Sequence, residues 1–195
     1  MEKNLYQHSR KEQEAFNLIN SGRLKEAEII YRKLIEEGNK NHIVYGNLGA
    51  ICGIQGDKRE MIELLQSALK IKPDYLDALN NLGVANKEQG NLNKAISYFQ
   101  KALKINPDYS SALNNLGNCF KAQGNLDEAI SYFQKALKLK PNYPDALNNL
   151  GLVIRKKGNL DEAISYFQKA LKLKPNYPYA LNNLGLVIRE KGNLD

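Results

Sequence analysis

The sequence predicts an all-α protein, a solenoid of antiparallel helix pairs. Two observations on repeated sequence predict this class. Glycine recurs every 34 residues, at Gly22, Gly56, Gly90, Gly124, Gly158 and Gly192. Residues 124–157 and 158–191 are identical at 32 of 34 positions, so the chain contains a duplicated unit. No segment shows the alternation of apolar and polar residues that is typical of a strand. We therefore predict about five and a half repeats of 34 residues.

Each repeat is predicted to contain two helices joined by a tight turn, as residues 76–109 illustrate. Apolar residues at helical spacing form a first stripe, at Leu79, Leu82, Val84 and Ala85. Gly90 follows this stripe, and glycine suits the left-handed conformation that ends many helices. A second stripe precedes Pro107 and consists of Ala95, Ile96, Phe99, Ala102, Leu103 and Ile105. Because proline cannot continue a helix, the second helix is expected to end there.

The second helices of the later repeats begin with a sequence close to a capping box. Asn125 precedes Glu128 by three residues, and Asn159 precedes Glu162 by the same spacing. The asparagine side chains are therefore expected to accept hydrogen bonds from the first turn of each helix.

The repeats divide the chain into six units of unequal quality. Residues 1–41 form a degenerate capping unit, because Lys11 and Glu14 stand where Leu79 and Leu82 stand later. Four well-formed units follow, at 42–75, 76–109, 110–143 and 144–177. Residues 178–195 provide only a first helix, so we expect the chain to be part of a longer protein. The uncovered apolar side of this helix predicts end-to-end self-association.

Fixed positions within the units carry the resemblance to a known family. Counting each unit from 8, 42, 76, 110, 144 and 178, position 8 is Gly49, Gly83, Gly117, Gly151 and Gly185; position 20 is Ala27, Ala95, Ala129 and Ala163; position 24 is Tyr31, Phe99, Phe133 and Phe167; and position 32 is Pro73, Pro107, Pro141 and Pro175. Met61 and Leu65 are the exceptions in the second unit. The pattern resembles the tetratricopeptide repeat (TPR), which implies a right-handed solenoid that binds other proteins. Phe133 is expected to be buried between its own unit and the next.

Composition and isolated residues indicate no other class of function. The net charge is +7, with 43% apolar and 25% charged residues, which is typical of a folded chain. We found no signal peptide and no candidate membrane span, so we expect a cytoplasmic protein without membrane contact. Cys52 and Cys119 are predicted to be buried thiols, and His8 and His42 to be exposed loop residues. No motif for a metal, nucleotide or other cofactor occurs, and no enzymatic activity is predicted.

The TPR resemblance implies that the first helices line a concave groove, and asparagines recur there. Position 6 is Asn47, Asn81, Asn115, Asn149 and Asn183, and position 5 is Asn80, Asn114, Asn148 and Asn182. Position 12 adds a basic row of Lys87, Lys121, Arg155 and Arg189. The asparagines resemble the ladder in the TPR superhelix of O-linked N-acetylglucosamine transferases, which implies that they hold a peptide by its backbone. Alternatively, position-6 asparagine serves only the helix surface, as is common in TPR consensus sequences.

Three functions follow from this groove. The first is a protein-interaction scaffold that binds an extended, partly acidic segment of a partner protein. The second is the substrate-docking arm of a larger transferase, with its catalytic domain beyond residue 195. The third is RNA binding, which the groove does not favour, because its asparagines hardly vary and aromatic residues there are limited to Tyr45 and Tyr179. The sequence also does not match a chaperone-type carboxylate clamp, because Asn118 fits it without the lysine at position 5.

Overall fold

The computed structural model describes residues 2–193, with side chains from residue 6 onward. The end of the chain at Asp195, on which the prediction of an incomplete unit depends, lies outside these residues. The described residues form eleven helices, α1 Glu2–Asn20, α2 Leu24–Glu36, α3 His42–Gln55, α4 Lys58–Ile71, α5 Leu76–Glu88, α6 Leu92–Ile105, α7 Ser110–Gln123, α8 Leu126–Leu139, α9 Pro144–Lys156, α10 Leu160–Leu173 and α11 Pro178–Gly192. Within this described part no strand is present. The predicted all-α class is confirmed.

The chain divides into two compact units, residues 1–85 and 86–195, and the division falls within α5. In the first unit, α1, α2, α3 and α4 pack in sequence, each against the next. In the second unit, α6 to α11 pack in the same sequential way, and α9 also contacts both α7 and α11. Each helix is therefore stabilised mainly by its neighbours in sequence, as in other repeat proteins.

The core of the second unit is centred on two phenylalanines, one on α8 and one on α10. Phe133 is fully buried and belongs to a cluster that includes Leu150 and Val153 of α9 and Phe167 of α10. A Cβ atom added to Gly117 of α7 would lie 2.7 Å from the Phe133 ring. Phe133 thus fills the space between the first helix of its own repeat and the repeat that follows, which confirms the prediction.

The turn glycines adopt the predicted left-handed conformation. Gly90, Gly124 and Gly158 have φ angles of +79°, +84° and +86°. At Gly124 the backbone N–H donates to the carbonyl of Lys121, and the following Asn125 N–H donates to that of Phe120. These bonds satisfy carbonyl groups at the end of α7, which would otherwise lack helical partners.

The capping prediction was wrong for the later repeats. Asn125 and Asn159 occupy the N-cap positions of α8 and α10, but neither side chain makes a capping hydrogen bond. Acidic residues in the first turn, including Glu128, complement the helix dipole there instead. Asp57 does cap α4, because its carboxylate accepts from the backbone N–H of Glu60 at 2.9 Å.

The first unit compensates for its departures from the repeat pattern. Met61 replaces the usual alanine at position 20, and the residue that it faces on α3 is Gly53. A Cβ atom at Gly53 would lie 2.6 Å from the Met61 sulfur. In this repeat the small residue of the contact is therefore Gly53 on α3, and the larger one is Met61 on α4. Fully buried Tyr31 and Leu48 complete the packing between α2 and α3.

Both cysteines are buried free thiols, as predicted, and burial raises the pKa of each, that of Cys52 to about 11. The prediction for the histidines was wrong, because both lie in helices and are half-buried. His8 lies 3.2 Å from the Glu37 carboxylate. The His42 ring contacts the edge of the Tyr75 ring at 4.8 Å between centroids, and desolvation lowers its pKa.

Candidate functional site

A cavity of about 660 Å³ lies in the second unit and is lined mainly by polar side chains. Four helices contribute to it, the last turn of α5 and then α7, α9 and α11. Its asparagines include five of the predicted site residues, Asn114, Asn115, Asn148, Asn149 and Asn183. Lys87 is the predicted basic residue among the lining side chains. First helices of four consecutive repeats therefore bring these predicted residues together around one space.

The asparagines at positions 5 and 6 have different surroundings. Asn114 and Asn148, at position 5, are only 5% and 4% exposed. The side-chain amide of Asn149 donates to the Asn114 oxygen at 3.2 Å, and that of Asn183 donates to the Asn148 oxygen at 2.9 Å. Asn149 and Asn183, both at position 6, are thus bonded to position 5 of the preceding repeat. Asn182 lacks this environment and is exposed.

The basic residues at position 12 also differ from one repeat to the next. Arg155 forms an ion pair with Glu190, with Nε and Oε2 2.7 Å apart. Lys121 is half-buried, and its ammonium donates to the Asn149 oxygen at 3.2 Å. Desolvation, with a further contribution from the nearby ammonium of Lys87, lowers the pKa of Lys121 to about 8. Arg189, on α11, is exposed. The residues of the predicted basic row therefore differ in environment: Arg155 has a carboxylate partner, Lys121 is half-buried and Arg189 is exposed.

Sequence reasoning missed two tyrosines that line the cavity, Tyr143 and Tyr177. The Tyr177 hydroxyl donates to the Asp145 carboxylate at 2.6 Å, and its ring contacts Tyr179 edge to face at 5.9 Å. Desolvation, followed by the Asp145 carboxylate, raises the pKa of Tyr177 well above its ordinary range. A signal was available in the sequence, because tyrosine closes four consecutive repeats, at Tyr75, Tyr109, Tyr143 and Tyr177.

Three predicted asparagines belong to the first unit. The side-chain amide of Asn47 donates to the hydroxyl of the buried Tyr31 at 2.9 Å, which ties α3 to α2. Asn80 and Asn81 are adjacent on α5 and half-buried. Position 12 of the repeat at 42–75 is Gly53, so the basic row does not extend into α3.

Comparison with family models identifies the repeat. Models described as tetratricopeptide repeat match residues 42–108, 74–142, 114–178 and 166–195. The chain belongs to the tetratricopeptide-repeat family. TPR proteins mediate protein–protein interactions and generally act as binding scaffolds, so protein binding is the broad function of this chain.

Solved structures support the same assignment. MamA is 28% identical with a TM-score of 0.69, and the alignment covers 83% of this chain and 94% of MamA. YrrB, described as a TPR protein with an unusual peptide-binding site, is 25% identical with a TM-score of 0.67, covering 88% of this chain and 89% of YrrB. PilF of Pseudomonas aeruginosa, at 19% identity and a TM-score of 0.80, shares the fold over 95% of this chain and 86% of its own. A search of curated proteins found no match.

Two further properties of the described residues bear on function. None of their helices is both long and apolar enough to span a bilayer. Nor do they contain a cluster of three or more histidine, cysteine, aspartate or glutamate side chains placed to hold a metal ion. The polar cavity of the second TPR unit brings six of the predicted site residues together.

Proposed function

We propose that the chain binds an extended segment of a partner protein in the polar cavity of its second unit. The observation that carries the proposal is the lining of that cavity by side-chain amides from successive first helices. An amide group both donates and accepts hydrogen bonds, as a peptide backbone does. Amides at regular intervals therefore suit an extended main chain and place few demands on its sequence.

The contacts between asparagines favour a division of roles between positions 5 and 6. A side-chain amide has two N–H donors and an oxygen with two lone pairs. The bond from Asn183 to Asn148 uses one donor of Asn183 and leaves its oxygen and second N–H for a ligand. Asn149 retains its second N–H and one lone pair. In this proposal the buried position-5 asparagines fix the orientation of the position-6 amides, which lowers the entropic cost of binding.

Charge favours a partner segment that is partly acidic. Residues 1–85 contain 12 basic and 12 acidic side chains, whereas residues 86–195 contain 16 basic and 9 acidic ones. The whole excess of positive charge therefore belongs to the unit that contains the cavity. Such a charge raises the association rate of an acidic segment. YrrB, at 25% identity, is a relative for which a peptide-binding site is described, and this adds support.

A selected ligand and a matched pair of variants test the proposal. A displayed library of random peptides is selected on the wild-type chain, and affinities are measured by calorimetry. Replacing Asn115, Asn149 and Asn183 together by alanine removes the groove amides. At about 0.5–1.5 kcal/mol for each lost hydrogen bond, affinity is expected to fall at least about tenfold.

The control replaces three asparagines of the turns, Asn91, Asn125 and Asn159, by alanine. Their side chains are exposed and lie outside the cavity, so affinity is expected to stay unchanged. Circular dichroism fixes a temperature at which all variants are folded. Equal affinity of the wild type and the groove variant would contradict the proposal.

We also propose a contact between copies of the chain through α11. Leu181 and Ile188 are 52% and 53% exposed, whereas Leu147 and Ile154, their equivalents in the preceding repeat, are each 6% exposed. An uncovered apolar face of this kind is typical of an association surface.

A further inference from the structure

The two nearly identical repeats differ at a position that decides whether a half-buried cation has a carboxylate partner. Arg155, at position 12, is paired with Glu190 at position 13 of the next repeat. One repeat earlier, position 12 is Lys121, and position 13 of the repeat that follows it is Lys156. Residues 156 and 190 are one of only two differences between 124–157 and 158–191. Position 13 therefore provides a carboxylate, Glu190, next to Arg155, whereas the equivalent position for Lys121 is the ammonium of Lys156.

Lys87 and Lys121 are the two cations at this place. Lys87 lines the cavity, and Lys121 donates a hydrogen bond to Asn149, which belongs to the same lining. The charge of Lys87 also helps to lower the pKa of Lys121. Among the residues that the structure describes, no carboxylate forms an ion pair with either lysine. Asp145, the acidic side chain in the cavity lining, accepts a hydrogen bond from Tyr177 instead. A half-buried cation without a counter-ion is costly, and a bound anion would offset that cost.

We propose that Lys87 and Lys121 bind a carboxylate of the partner segment. This carboxylate would be to Lys121 what Glu190 is to Arg155, the counter-ion of a position-12 cation. Asn118 and Asn149 lie in the same lining and supply amide N–H donors to that group. The inference rests on the proposed peptide-binding function and adds a fixed acidic position to it. The site differs from the chaperone-type clamp, because its lysines occupy position 12 of two consecutive repeats.

Three short probe peptides test the chemistry and its source. The first is Ac-Ala-Ala-Glu-Ala-Ala-NH2, which has one side-chain carboxylate, and the second has glutamine in place of glutamate. The third is acetylated pentaalanine with a free C-terminus, which offers only a terminal carboxylate. Binding is followed by titration of the side-chain amide signals of Asn118 and Asn149 in ¹⁵N-correlated NMR spectra. The glutamate probe is expected to bind about tenfold or more tightly than the glutamine probe, since one charge-assisted hydrogen bond supplies such a factor.

The chain itself provides the matched substitutions. Lys156→Glu installs the residue of the following repeat at position 13 and is expected to occupy Lys121 from within, so the glutamate probe loses its advantage. Glu190→Lys leaves Arg155 without its partner and is expected to add a second, weaker site for the same probe. Lys121→Gln removes the ammonium and should abolish the preference for glutamate. Lys157→Gln, an exposed lysine paired with Asp127, is the control and should leave the preference intact.

Every outcome bears on the proposal. If the free C-terminus binds and the internal glutamate does not, the carboxylate comes from a chain end; the reverse result assigns it to a side chain. If neither carboxylate probe binds more tightly than the glutamine probe, or if neither binds at millimolar concentration, the site is overturned. Library-selected peptides that depend on the asparagines but show no acidic position leave the groove proposal intact and refute this one. A preference for glutamate that persists when the groove asparagines are replaced supports the lysine site and contradicts the groove proposal.

Discussion

Single residues in this protein are defined by what the next helix places against them. Gly117 and Gly185 occupy the same position 8, each in a first helix. At Gly117 an added Cβ would approach the Phe133 ring at 2.7 Å, whereas at Gly185 nothing lies within 4 Å. The same residue type therefore answers a packing requirement in one repeat and none in the other.

The two glycines predict alanine substitutions of opposite sign. In Gly185→Ala, the helix gains up to about 1 kcal/mol because alanine has the higher helix propensity. In Gly117→Ala, the clash with a rigid ring costs about 1–3 kcal/mol, which equals or exceeds that gain. We expect Gly185→Ala to raise the free energy of unfolding and Gly117→Ala to lower it. Urea unfolding followed by circular dichroism measures both; equal stabilisation by the two changes would show that the ring is not a constraint.

Lys121 predicts a pH dependence of carboxylate binding. Its pKa of about 8 in the free chain results first from desolvation and then from Lys87 on α5. Asn149 of α9 also faces it, and Cys119 on its own helix remains a thiol because burial raises its pKa. A carboxylate binds only the ammonium form, so affinity should be constant below about pH 7 and fall above about pH 8, by up to tenfold per pH unit.

Calorimetry of the glutamate probe between about pH 6.5 and 9.5 measures this dependence, and the Lys121→Gln variant should lack it. Stability follows the opposite direction. Because the Lys121 pKa is lowered from its ordinary 10.5, the unfolded chain binds more protons between the two values. The contribution of Lys121 to the free energy of unfolding should therefore rise with pH above about pH 8. A probe affinity that is flat across this range would contradict the assigned role of Lys121.

At the scale of helices, the second helices of the repeats begin in two ways. α4 begins with a side-chain cap from Asp57, whereas Asn125 precedes α8 without one. The predicted division of the chain into repeats, with a degenerate unit at 1–41 and a partial one at 178–195, stays a prediction. The helices themselves follow from apolar periodicity, glycine turns and prolines, all of which are local signals.

Capping predicts unequal costs for two alanine substitutions at equivalent positions. Asp57→Ala removes the acceptor of the Glu60 N–H and should lower the free energy of unfolding by about 0.5–2 kcal/mol. Asn125→Ala removes no capping bond and should change it by less than about 0.5 kcal/mol. Chemical denaturation of both variants provides the comparison, each serving as the control for the other. A larger loss in Asn125→Ala would mean that its side chain caps α8 in solution.

For the molecule as a whole, charge and exposed apolar surface differ between its parts. The first unit is neutral, and the second carries the entire net charge of +7. The apolar residues Leu181 and Ile188 of α11 are exposed although their equivalents in α9 are buried. The second unit therefore combines the basic polar cavity with the apolar surface proposed for self-association.

Self-association through α11 predicts a concentration-dependent sedimentation coefficient. The variant with lysine at both 181 and 188 should contain more monomer than the wild-type chain, because charge opposes burial of that face. The control replaces Leu139 and Leu173, exposed leucines on other helices, by lysine and should leave association unchanged. Sedimentation velocity over a range of concentrations is the measurement. A wild-type chain that remains monomeric throughout would rule out this contact.

Much of this molecule could be derived from its sequence alone. The 34-residue period, the helix pairs, the glycine turns and the burial of Phe133 all follow from residue spacing, because short-range periodicity specifies which face of a helix is apolar. Spacing also identified five asparagines and Lys87, which meet around the cavity. Tyr143 and Tyr177 also recur at the 34-residue period, but they lie outside the helices, so helical periodicity did not place them at the cavity.

Only the tertiary structure distinguished residues that the sequence presents as equivalent. Asn148 and Asn182 share the same local sequence, yet one is buried and bonded to Asn183 and the other is exposed. Arg155 has a carboxylate partner, and Lys121 does not. The contacts that decide these differences join residues 28 to 35 positions apart. Because each repeat is completed by the next, the role of a side chain depends on the neighbour that covers it, and local sequence carries no record of that neighbour.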